Sequence, residues 1–322
     1  MNIKDLKIVF MGTPEFAVGS LSKLIDNGFN IVGVITSADK PAGRGKKLKY
    51  SDVKKYAIEN NLNLLQPTNL KSPEFIAELE SLNADLQIVV AFRMLPEIVW
   101  DMPPLGTFNL HASLLPQYRG AAPINHVIIN GEKVTGATTF FLDKEIDTGK
   151  IIKQVCVEIS ENDNAGSLHD KLMDIGGDLV VETANDILNN SVESIPQKLK
   201  ISEGEKLLKA PKIFKEDCRI EWSKNVDDIY NFIRGLSPYP AAYTELINEA
   251  GEKVMLKIFN VSRELAEVNI PIGTILIDKD NFKISCSNGF LFLQELQQSG
   301  KKRMHIIDFL RGTKLDNSYK AI

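Results

Sequence analysis

The sequence predicts an α/β protein in which a doubly wound, mostly parallel sheet is followed by a smaller, β-rich domain. In the first 191 residues, apolar strand-like runs alternate with helical segments, which is typical of a parallel sheet. Residues 192–210 lose this periodicity and are rich in Lys, Glu, Ser and Pro, which indicates a linker. Residues 211–322 contain short strand-like runs separated by turn signals. We therefore expect domains at 1–191 and 211–322, joined by the segment 192–210.

The first strand and helix are predicted at the start of the chain. Lys7–Met11 is an apolar run typical of a buried strand. We expect Thr13 to be the N-cap of the helix, with Pro14 at its first position and Gly28 at its end. A dinucleotide-binding oxidoreductase needs three glycines spaced G-x-G-x-x-G after this strand, and only Gly12 is present. The sequence therefore argues against a nicotinamide cofactor.

Further strands and helices follow in alternation. Ile31–Ile35 and Leu86–Ala91 are predicted strands, and Ser72 is the predicted N-cap of another helix. A long helix is predicted from about 167 to 190. The predicted strands of the last third are Ala242–Ile247, Val254–Phe259, Phe282–Cys286 and Phe290–Leu296. The dipeptide Asn288-Gly289 between the last two is a strong hairpin signal.

The composition is that of a globular protein, since 43% of the 322 residues are hydrophobic and 25% are charged. The formal net charge of −4 argues against a protein coated with nucleic acid, so any RNA contact must be local. The three cysteines are far apart and show no paired spacing. They indicate neither a disulfide framework nor a zinc site, which fits a reducing cytoplasm. We expect no bound metal, no signal peptide and no membrane anchor.

The candidate site lies in the run Phe108–Pro116 and in a turn at Asp147. If Thr107–His111 is a strand, its period of two places Asn109 and His111 on one face. An amide that donates to a developing oxyanion, beside an imidazole that transfers protons near neutral pH, suits acyl transfer. Asp147 lies in a polar turn that can fold back and orient the histidine. No serine or cysteine nucleophile is evident beside them.

The Asn-x-His-x-Ser-Leu-Leu-Pro run that begins at Asn109, with the later Asp147-Thr148-Gly149, resembles the motif of the folate-dependent formyltransferases. Lys40–Leu48 and Tyr118–Ile124 are similar to the branch of that family that formylates charged initiator tRNA, and the similarity covers essentially the whole chain. The resemblance implies a Rossmann-like catalytic domain and an OB-like β-barrel that binds tRNA. It also implies transfer of a formyl group from 10-formyltetrahydrofolate to the α-amine of initiator methionyl-tRNA. We expect a cytoplasmic monomer.

The resemblance implies roles for three groups of residues. The catalytic residues are Asn109, His111 and Asp147. The folate groove is lined by Ser113, Leu114, Leu115 and Pro116 on one wall and by Phe92, Arg93, Met94 and Leu95 on the other. The tRNA contacts are Arg44, Lys46 and Lys47 in the loop from 37 to 50, and Lys206, Lys209 and Lys212 around the linker. Many bacterial members have a Tyr-Gly pair where this chain has Phe92-Arg93.

Two alternatives stay open. In the first, the protein is a formyltransferase that acts on an amino sugar or a small nucleotide. In the second, it is a non-catalytic module that binds tRNA or folate. The polar loop from 37 to 50 argues against the first, because related enzymes that act on sugars or nucleotides generally lack it. The polar residues Asn109, His111 and Asp147 argue against the second. The sequence does not decide whether His111 acts as a cation or as a neutral base.

Overall fold

The computed structural model describes residues 2–42 and 47–322. The chain forms two compact units that are interleaved along the sequence. The first unit comprises Met1–Gly120, Val134–Glu158 and His169–Lys209, and the second comprises Ala121–Lys133, Ile159–Leu168 and Ala210–Ile322. The segment from 192 to 209 therefore packs within the first unit. The linear division at 191 and 211 stays a prediction.

The first unit is built on a seven-stranded sheet. The strands of this unit are β1 (Lys7–Gly12), β2 (Asn30–Ile35), β3 (Lys40–Ala42), β4 (Lys47–Lys49), β5 (Leu64–Leu65), β6 (Leu86–Val90), β7 (Thr107–His111), β8 (Val134–Phe141) and β9 (Ile151–Glu158). The order in the sheet is β5-β2-β1-β6-β7-β8-β9, and β3 pairs with β4 separately. The first five strands in this order are mutually parallel, and β8 runs antiparallel to both of its neighbours, β7 and β9. The predicted mostly parallel sheet is confirmed.

Helices cover both faces of this sheet. They are α1 (Glu15–Asp26), α2 (Asp52–Glu59), α3 (Pro73–Ser81), α4 (Glu97–Trp100), most of α6 (Ala165–Leu188) and a short 3-10 helix at Gln197–Lys200. On one face, Phe75 of α3 and Val99 of α4 pack with Val9 and Val89 of the sheet. On the other face, α6 contacts the sheet where Gly176 meets the side chain of Leu110. Alternate residues of β7 therefore face opposite layers.

The predicted cap of the first helix is wrong by one residue. Pro14, and not Thr13, occupies the N-cap position, and no side chain caps the helix. The cause is the extended backbone of Pro14, at φ −82° and ψ 175°, so that the helix begins at Glu15. Gly28 adopts φ 81° just beyond the helix end, as predicted. The predicted Ser72 cap is confirmed, because its hydroxyl accepts a hydrogen bond from the Phe75 amide.

The second unit contains a nearly closed antiparallel barrel. Its strands are β10 (Ala242–Ile247), β11 (Lys253–Leu265), β12 (Ile275–Ile277), β13 (Phe282–Ser285), β14 (Gly289–Gln298), β15 (Met304–His305) and β16 (Lys320–Ala321). The order is β12-β13-β14-β11-β10-β16, with β15 beside β14. A bridge between Thr274 and Lys320 brings the two ends of this order together. The predicted β-barrel is confirmed.

Three helices belong to the second unit: α5 (Pro123–Ile129), α7 (Val226–Leu236) and α8 (Ile306–Gly312). A 3-10 turn lies at Glu216–Cys218. The predicted hairpin is present, but its glycine has another reason. A Cβ on Gly289 would lie 2.1 Å from the carbonyl oxygen of Glu264 on β11, so close approach of the strands requires this glycine. Within the described residues, no helix is long and apolar enough to cross a membrane.

Candidate active site

The site forms at the carboxyl end of β7, in the first unit. β7 spans Thr107–His111, as the sequence predicts. Leu110 faces α6, so Asn109 and His111 share the opposite face of the sheet. Asn109 pairs with Val89 of β6 and is half-buried. Its amide has no hydrogen-bond partner within the described part of the chain, so it is available to a ligand.

His111 is buried, with 6% of its surface exposed. Its Nε2 lies 2.9 Å from the carbonyl oxygen of Tyr118. A carbonyl only accepts, so Nε2 must carry a proton and the neutral ring has its lone pair on Nδ1. Tyr118 presents this carbonyl from a left-handed backbone conformation, at φ 61°. The turn after β7 thus fixes the tautomer of the imidazole.

Asp147 folds back towards the imidazole, as the sequence predicts. Its Oδ2 lies 3.9 Å from Nδ1 of His111 and accepts a hydrogen bond of 3.0 Å from the amide of Gly120. A distance of 3.9 Å is too long for a direct hydrogen bond but leaves room for one bridging oxygen atom. We call Asn109, His111 and Asp147 the site triad. The structure brings its members to one edge of the sheet.

The turn that carries Asp147 depends on its backbone. Asp147 has φ 57°, which few residue types other than glycine adopt readily. Two residues later, a Cβ on Gly149 would lie 1.7 Å from the carbonyl oxygen of Phe141. The glycine of the Asp-Thr-Gly run is therefore required by close backbone approach. Asp143 closes the same turn, because its carboxylate accepts hydrogen bonds from Thr148 and from the Glu145 amide.

Gln197 is a residue that the sequence reasoning missed. Its side chain is 3% exposed, and its Nε2 donates to the carbonyl oxygens of Asp147 and Gly149, at 2.9 Å each. Its Oε1 accepts from Nε and Nη2 of Arg119, at 3.0 and 2.6 Å. Gln197 thereby joins the Asp147 turn to the turn that follows β7. The only sequence signal is a glutamine after Pro196, inside a segment interpreted as a linker.

The first predicted wall of the folate groove is a tightly held turn. Ser113 and Leu115 are buried, and the Ser113 hydroxyl donates to the Gln117 carbonyl. Thr138 of β8 fixes the turn, since its hydroxyl donates to the carbonyl of Ser113 and accepts from the amide of Leu115. Pro116 is buried and Leu114 half-buried. Of these four side chains, Leu114 is the most accessible.

The second predicted wall follows β6. Phe92 is half-buried, Met94 is 69% exposed and Leu95 is 8% exposed. The guanidinium of Arg93 donates to the carbonyl oxygens of Pro67 and Thr68, the latter at 3.0 Å. Arg93 therefore ties this segment to the loop after β5. The segment lies directly after the strand that neighbours β7.

The predicted tRNA contacts fall in different places. Arg44 and Lys46 lie outside the described residues, and of Lys47 the structure describes the backbone, in β4. Lys206 and Lys209 are exposed in the first unit, and Lys212 is exposed in the second. We call Lys206, Lys209 and Lys212 the linker lysines. Among the described residues, no group of three His, Cys, Asp or Glu side chains is arranged to hold a metal ion.

Family models match both parts of the chain. The formyl transferase model matches residues 6–184, and the model for the formyl transferase C-terminal domain matches residues 212–314. The chain belongs to the formyl transferase family. The resemblance seen in the sequence is thus confirmed.

Curated members of this family are similar over their full length. The methionyl-tRNA formyltransferase of Phocaeicola vulgatus is 58% identical over 323 residues, which cover 100% of both chains. The enzyme of the same name from Bacteroides thetaiotaomicron is 56% identical over 321 residues, or 99% of each chain. That of Flavobacterium johnsoniae is 52% identical, over 99% of this chain and 100% of its own.

Solved structures of other formyltransferases share the fold. A sugar 3N-formyl transferase, crystallised in the presence of dTDP and 5-N-formyl-THF, superposes with a TM-score of 0.62 at 24% identity. The match covers 94% of this chain and 100% of that chain. HypX from Aquifex aeolicus, in complex with tetrahydrofolic acid, gives a TM-score of 0.61 at 17% identity over 96% of this chain and 48% of its own. At such identities the likeness concerns the fold alone.

Proposed function

We propose that the protein transfers a formyl group from 10-formyltetrahydrofolate to the α-amine of methionine on initiator tRNA, in the cytoplasm. The observation that carries this proposal is the site triad, with His111 Nδ1 3.9 Å from Asp147 Oδ2. It occurs in a formyl transferase that is 52 to 58% identical, over nearly its full length, to methionyl-tRNA formyltransferases. The similarity to these enzymes supports initiator methionyl-tRNA as the formyl acceptor, and the geometry of the site triad supports formyl transfer.

The proposed reaction begins when the uncharged amine attacks the formyl carbon of the folate. The new C–N bond gives a tetrahedral intermediate whose oxygen is negative, and the unpaired amide of Asn109 is placed to donate to that oxygen. The C–N10 bond of the folate then breaks, and N10 receives the proton that the amine releases. No covalent enzyme intermediate is needed, because both nitrogen atoms belong to substrates.

We assign Nδ1 of His111 as the reactive ring atom. Nε2 is engaged with the Tyr118 carbonyl, so only Nδ1 can exchange a proton or donate to a substrate oxygen. As a neutral base Nδ1 accepts the amine proton, and as part of the cation it donates to the oxyanion. In this proposal a water molecule bridges Nδ1 and the Asp147 carboxylate, because a water can donate to the carboxylate whereas the formyl oxygen carries no hydrogen.

The folate lies, in this proposal, outside the carboxyl ends of β1, β6 and β7, where doubly wound sheets bind ligands. The turn from 113 to 116 and the segment from 92 to 95 form its walls. The contacts of Ser113 and Arg93 with neighbouring carbonyls suggest that these side chains shape the walls, and that backbone groups read the pterin ring. Leu114, Phe92 and Met94 are the accessible apolar side chains at the groove.

The tRNA contacts, in this proposal, are the loop that contains Arg44, Lys46 and Lys47 and the linker lysines. A guanidinium gives a planar contact to phosphate or base, and lysines give point charges to the backbone. The protein is slightly acidic overall, so these contacts must act locally. We expect one protein chain to bind one tRNA.

The proposal is tested by incubating the protein with labelled 10-formyltetrahydrofolate and, separately, with charged initiator and elongator methionyl-tRNA. We expect formyl transfer to the initiator species. The matched control is the His111→Ala variant, which keeps every surface charge. Transfer to neither tRNA would refute the proposal. Equal transfer to an amino sugar or a small amino nucleotide would favour the alternative acceptor, and folate or tRNA binding without turnover would favour a non-catalytic module.

A further inference from the structure

A cavity of about 440 Å³ opens on the second unit, apart from the site triad. It lies between the segment that follows the linker, the turn before β10 and the faces of β10 and β11. Its lining includes Lys212, Phe214, Lys215, Tyr239, Tyr243 and Lys257. Its volume falls within the range of roughly 300 to 1,000 Å³ that is typical of small-molecule sites.

The charged side chains that line the cavity are all cationic. Among the described residues that line it, three are lysines and none carries a carboxylate. We call Lys212, Lys215 and Lys257 the cavity lysines. All three are exposed, and within the described part of the chain none forms an ion pair. A wall with three cations that lack a carboxylate partner, on a protein of net charge −4, is built for an anion.

Two exposed aromatic rings line the same cavity. Phe214 is 56% exposed and Tyr239 is 81% exposed, so both rings are accessible to a ligand. We call them the cavity rings. Nζ of Lys212 lies 5.2 Å from the centre of the Phe214 ring, so charge and ring are adjacent. Aromatic faces beside lysines are the combination that binds unpaired bases and their phosphates.

The inner part of the cavity offers a few polar groups on an apolar floor. Cys218 and Ala241 are each 2% exposed and form part of the floor. The side-chain amide of Asn125 donates to the Gly235 carbonyl, which leaves its Oδ1 available as an acceptor. Tyr243 also lines the cavity and carries a hydroxyl group. Such groups can hydrogen-bond the edge of a base without demanding one particular base.

We propose that this cavity binds one unpaired nucleotide of an RNA, with its base against the cavity rings and its flanking phosphates on the cavity lysines. The ligand class follows from the joint presence of flat apolar faces and cations. An inorganic anion needs no rings, and an apolar peptide needs no lysines. The proposal rests on the proposed function in one respect, namely that the acceptor is an RNA.

The first test measures binding of the full-length protein to a fluorescein-labelled, unstructured oligouridylate, without folate or an aminoacyl group. In the double variant Phe214→Ala/Tyr239→Ala, we expect affinity to fall about tenfold or more, because stacking on both rings is abolished. The variant Phe214→Trp/Tyr239→Trp should retain binding. The matched control is Leu265→Ala, which removes a side chain 65% exposed in the same unit. Thermal melting of each variant confirms that it is folded.

The second test separates stacking from charge. The variant Lys257→Gln should lower the slope of log affinity against log salt by about 0.7, which is the value for one phosphate of a single strand. Lys253→Gln, an exposed lysine of β11 outside the cavity lining, should leave the slope unchanged. The double alanine variant of the cavity rings should weaken binding with an unchanged slope.

The third test locates the base. An oligonucleotide that contains 5-iodouridine is cross-linked to the protein by light, and the modified peptide is identified by mass spectrometry. Cross-links to Phe214 or Tyr239 support the proposal. Cross-links confined to the first unit, or equal affinity of the double alanine variant and Leu265→Ala, overturn it. Displacement by free uridine monophosphate as effectively as by the oligonucleotide also overturns it, since the ligand is then a free nucleotide.

Failure of the cavity assignment can be distinguished from failure of the proposed function. If the wild-type protein binds the oligonucleotide at the cavity rings but transfers no formyl group, the function is refuted and the cavity assignment stands. If formyl transfer to initiator methionyl-tRNA proceeds and the double alanine variant has an unchanged Michaelis constant for tRNA and unchanged oligonucleotide affinity, the cavity assignment alone is refuted.

Discussion

Substitution of Gln197 tests whether the Asp147 turn must be held in place for the reaction. The side chain makes four hydrogen bonds, two to the carbonyl oxygens of Asp147 and Gly149 and two from Arg119. Gln197→Ala removes all four. Gln197→Glu keeps oxygen acceptors for Arg119 but loses both donors and places a carboxylate against two carbonyl oxygens. The two variants therefore separate the two halves of the interaction.

The expected loss of stability can be estimated from these hydrogen bonds. A net contribution of about 0.5 to 1.5 kcal/mol per hydrogen bond gives, for four bonds, a loss of roughly 2 to 6 kcal/mol of unfolding free energy for Gln197→Ala. For Gln197→Glu the retained Arg119 interaction offsets part of this loss. The catalytic effect has a different origin. If the turn relaxes by about 1 Å, Asp147 no longer faces Nδ1 of His111, and turnover falls by about 10- to 100-fold.

The assay is steady-state formyl transfer to charged initiator tRNA, measured well below the melting temperature of each variant. We expect kcat to fall for both variants while the Michaelis constants for folate and tRNA change by less than about twofold, because Gln197 contacts neither substrate in the proposed site. The control is Thr183→Val on α6. This buried hydroxyl bonds with Thr139 and with the Leu179 carbonyl, so its removal lowers stability away from the site and should leave kcat unchanged.

A wild-type kcat for Gln197→Glu would refute the positioning role, since that variant loses both hydrogen bonds to the Asp147 turn. A kcat that falls equally in Thr183→Val would also refute it. In that case turnover follows general stability, and the connection between Gln197 and Asp147 has no special part.

Five further results are expected. Alanine at any member of the site triad should lower turnover about 100-fold or more, and the double variant at Asn109 and His111 should lose much less than the product of the single losses. Arg44→Ala should weaken use of charged tRNA in kinetics while calorimetry with a folate analogue shows unchanged affinity. Neutralising the linker lysines together should flatten the salt dependence of tRNA affinity by roughly 0.7 to 0.9 for each phosphate that is no longer neutralised, and two indistinguishable slopes would contradict this. Iodoacetamide at pH 8 should label exposed Cys156 but not buried Cys286, because burial raises the pKa of the Cys286 thiol to about 12. The thiol of the unfolded chain releases its proton near pH 9.0, whereas the folded thiol keeps it up to a pKa of about 12. The free energy of unfolding should therefore fall as pH rises from about 9 to 12. Urea titrations of Cys286→Ala should show a smaller fall over the same range.

The sequence predicted those features of the fold and of the site that depend on residues close together in the chain. Alternation along a strand placed Asn109 and His111 on one face, and a polar turn placed Asp147 within reach. β10 was predicted with the observed bounds, Ala242–Ile247, because its buried and half-buried residues alternate. Each of these features is set by neighbours a few residues away.

Features set by distant contacts could not be predicted in this way. Gln197 reaches Asp147 across 50 positions, and an aperiodic segment carries no sign of such a return. Gly289 was predicted as a turn residue of the hairpin, but it is the first residue of β14, where the carbonyl of Glu264 on β11 leaves no room for a side chain. The cap at Thr13 failed because Pro14 prefers an extended backbone there. For Gln197 and Gly289, tertiary contacts decided what local propensity left open, whereas the Thr13 cap was a wrong local assignment.

Two members of the site triad, His111 and Asp147, are held by backbone groups. His111 is fixed by a carbonyl of Tyr118, Asp147 by an amide of Gly120, and the Asp147 turn by Gln197 through carbonyl oxygens. The reactive side chains therefore receive little support from one another, and their partners are peptide groups that substitution of a side chain does not remove. We therefore expect the triad variants to remain folded, which thermal melting of each variant would check. In the proposed reaction the chemistry depends on these three side chains, and the geometry depends on the two turns and on Gln197, which joins them.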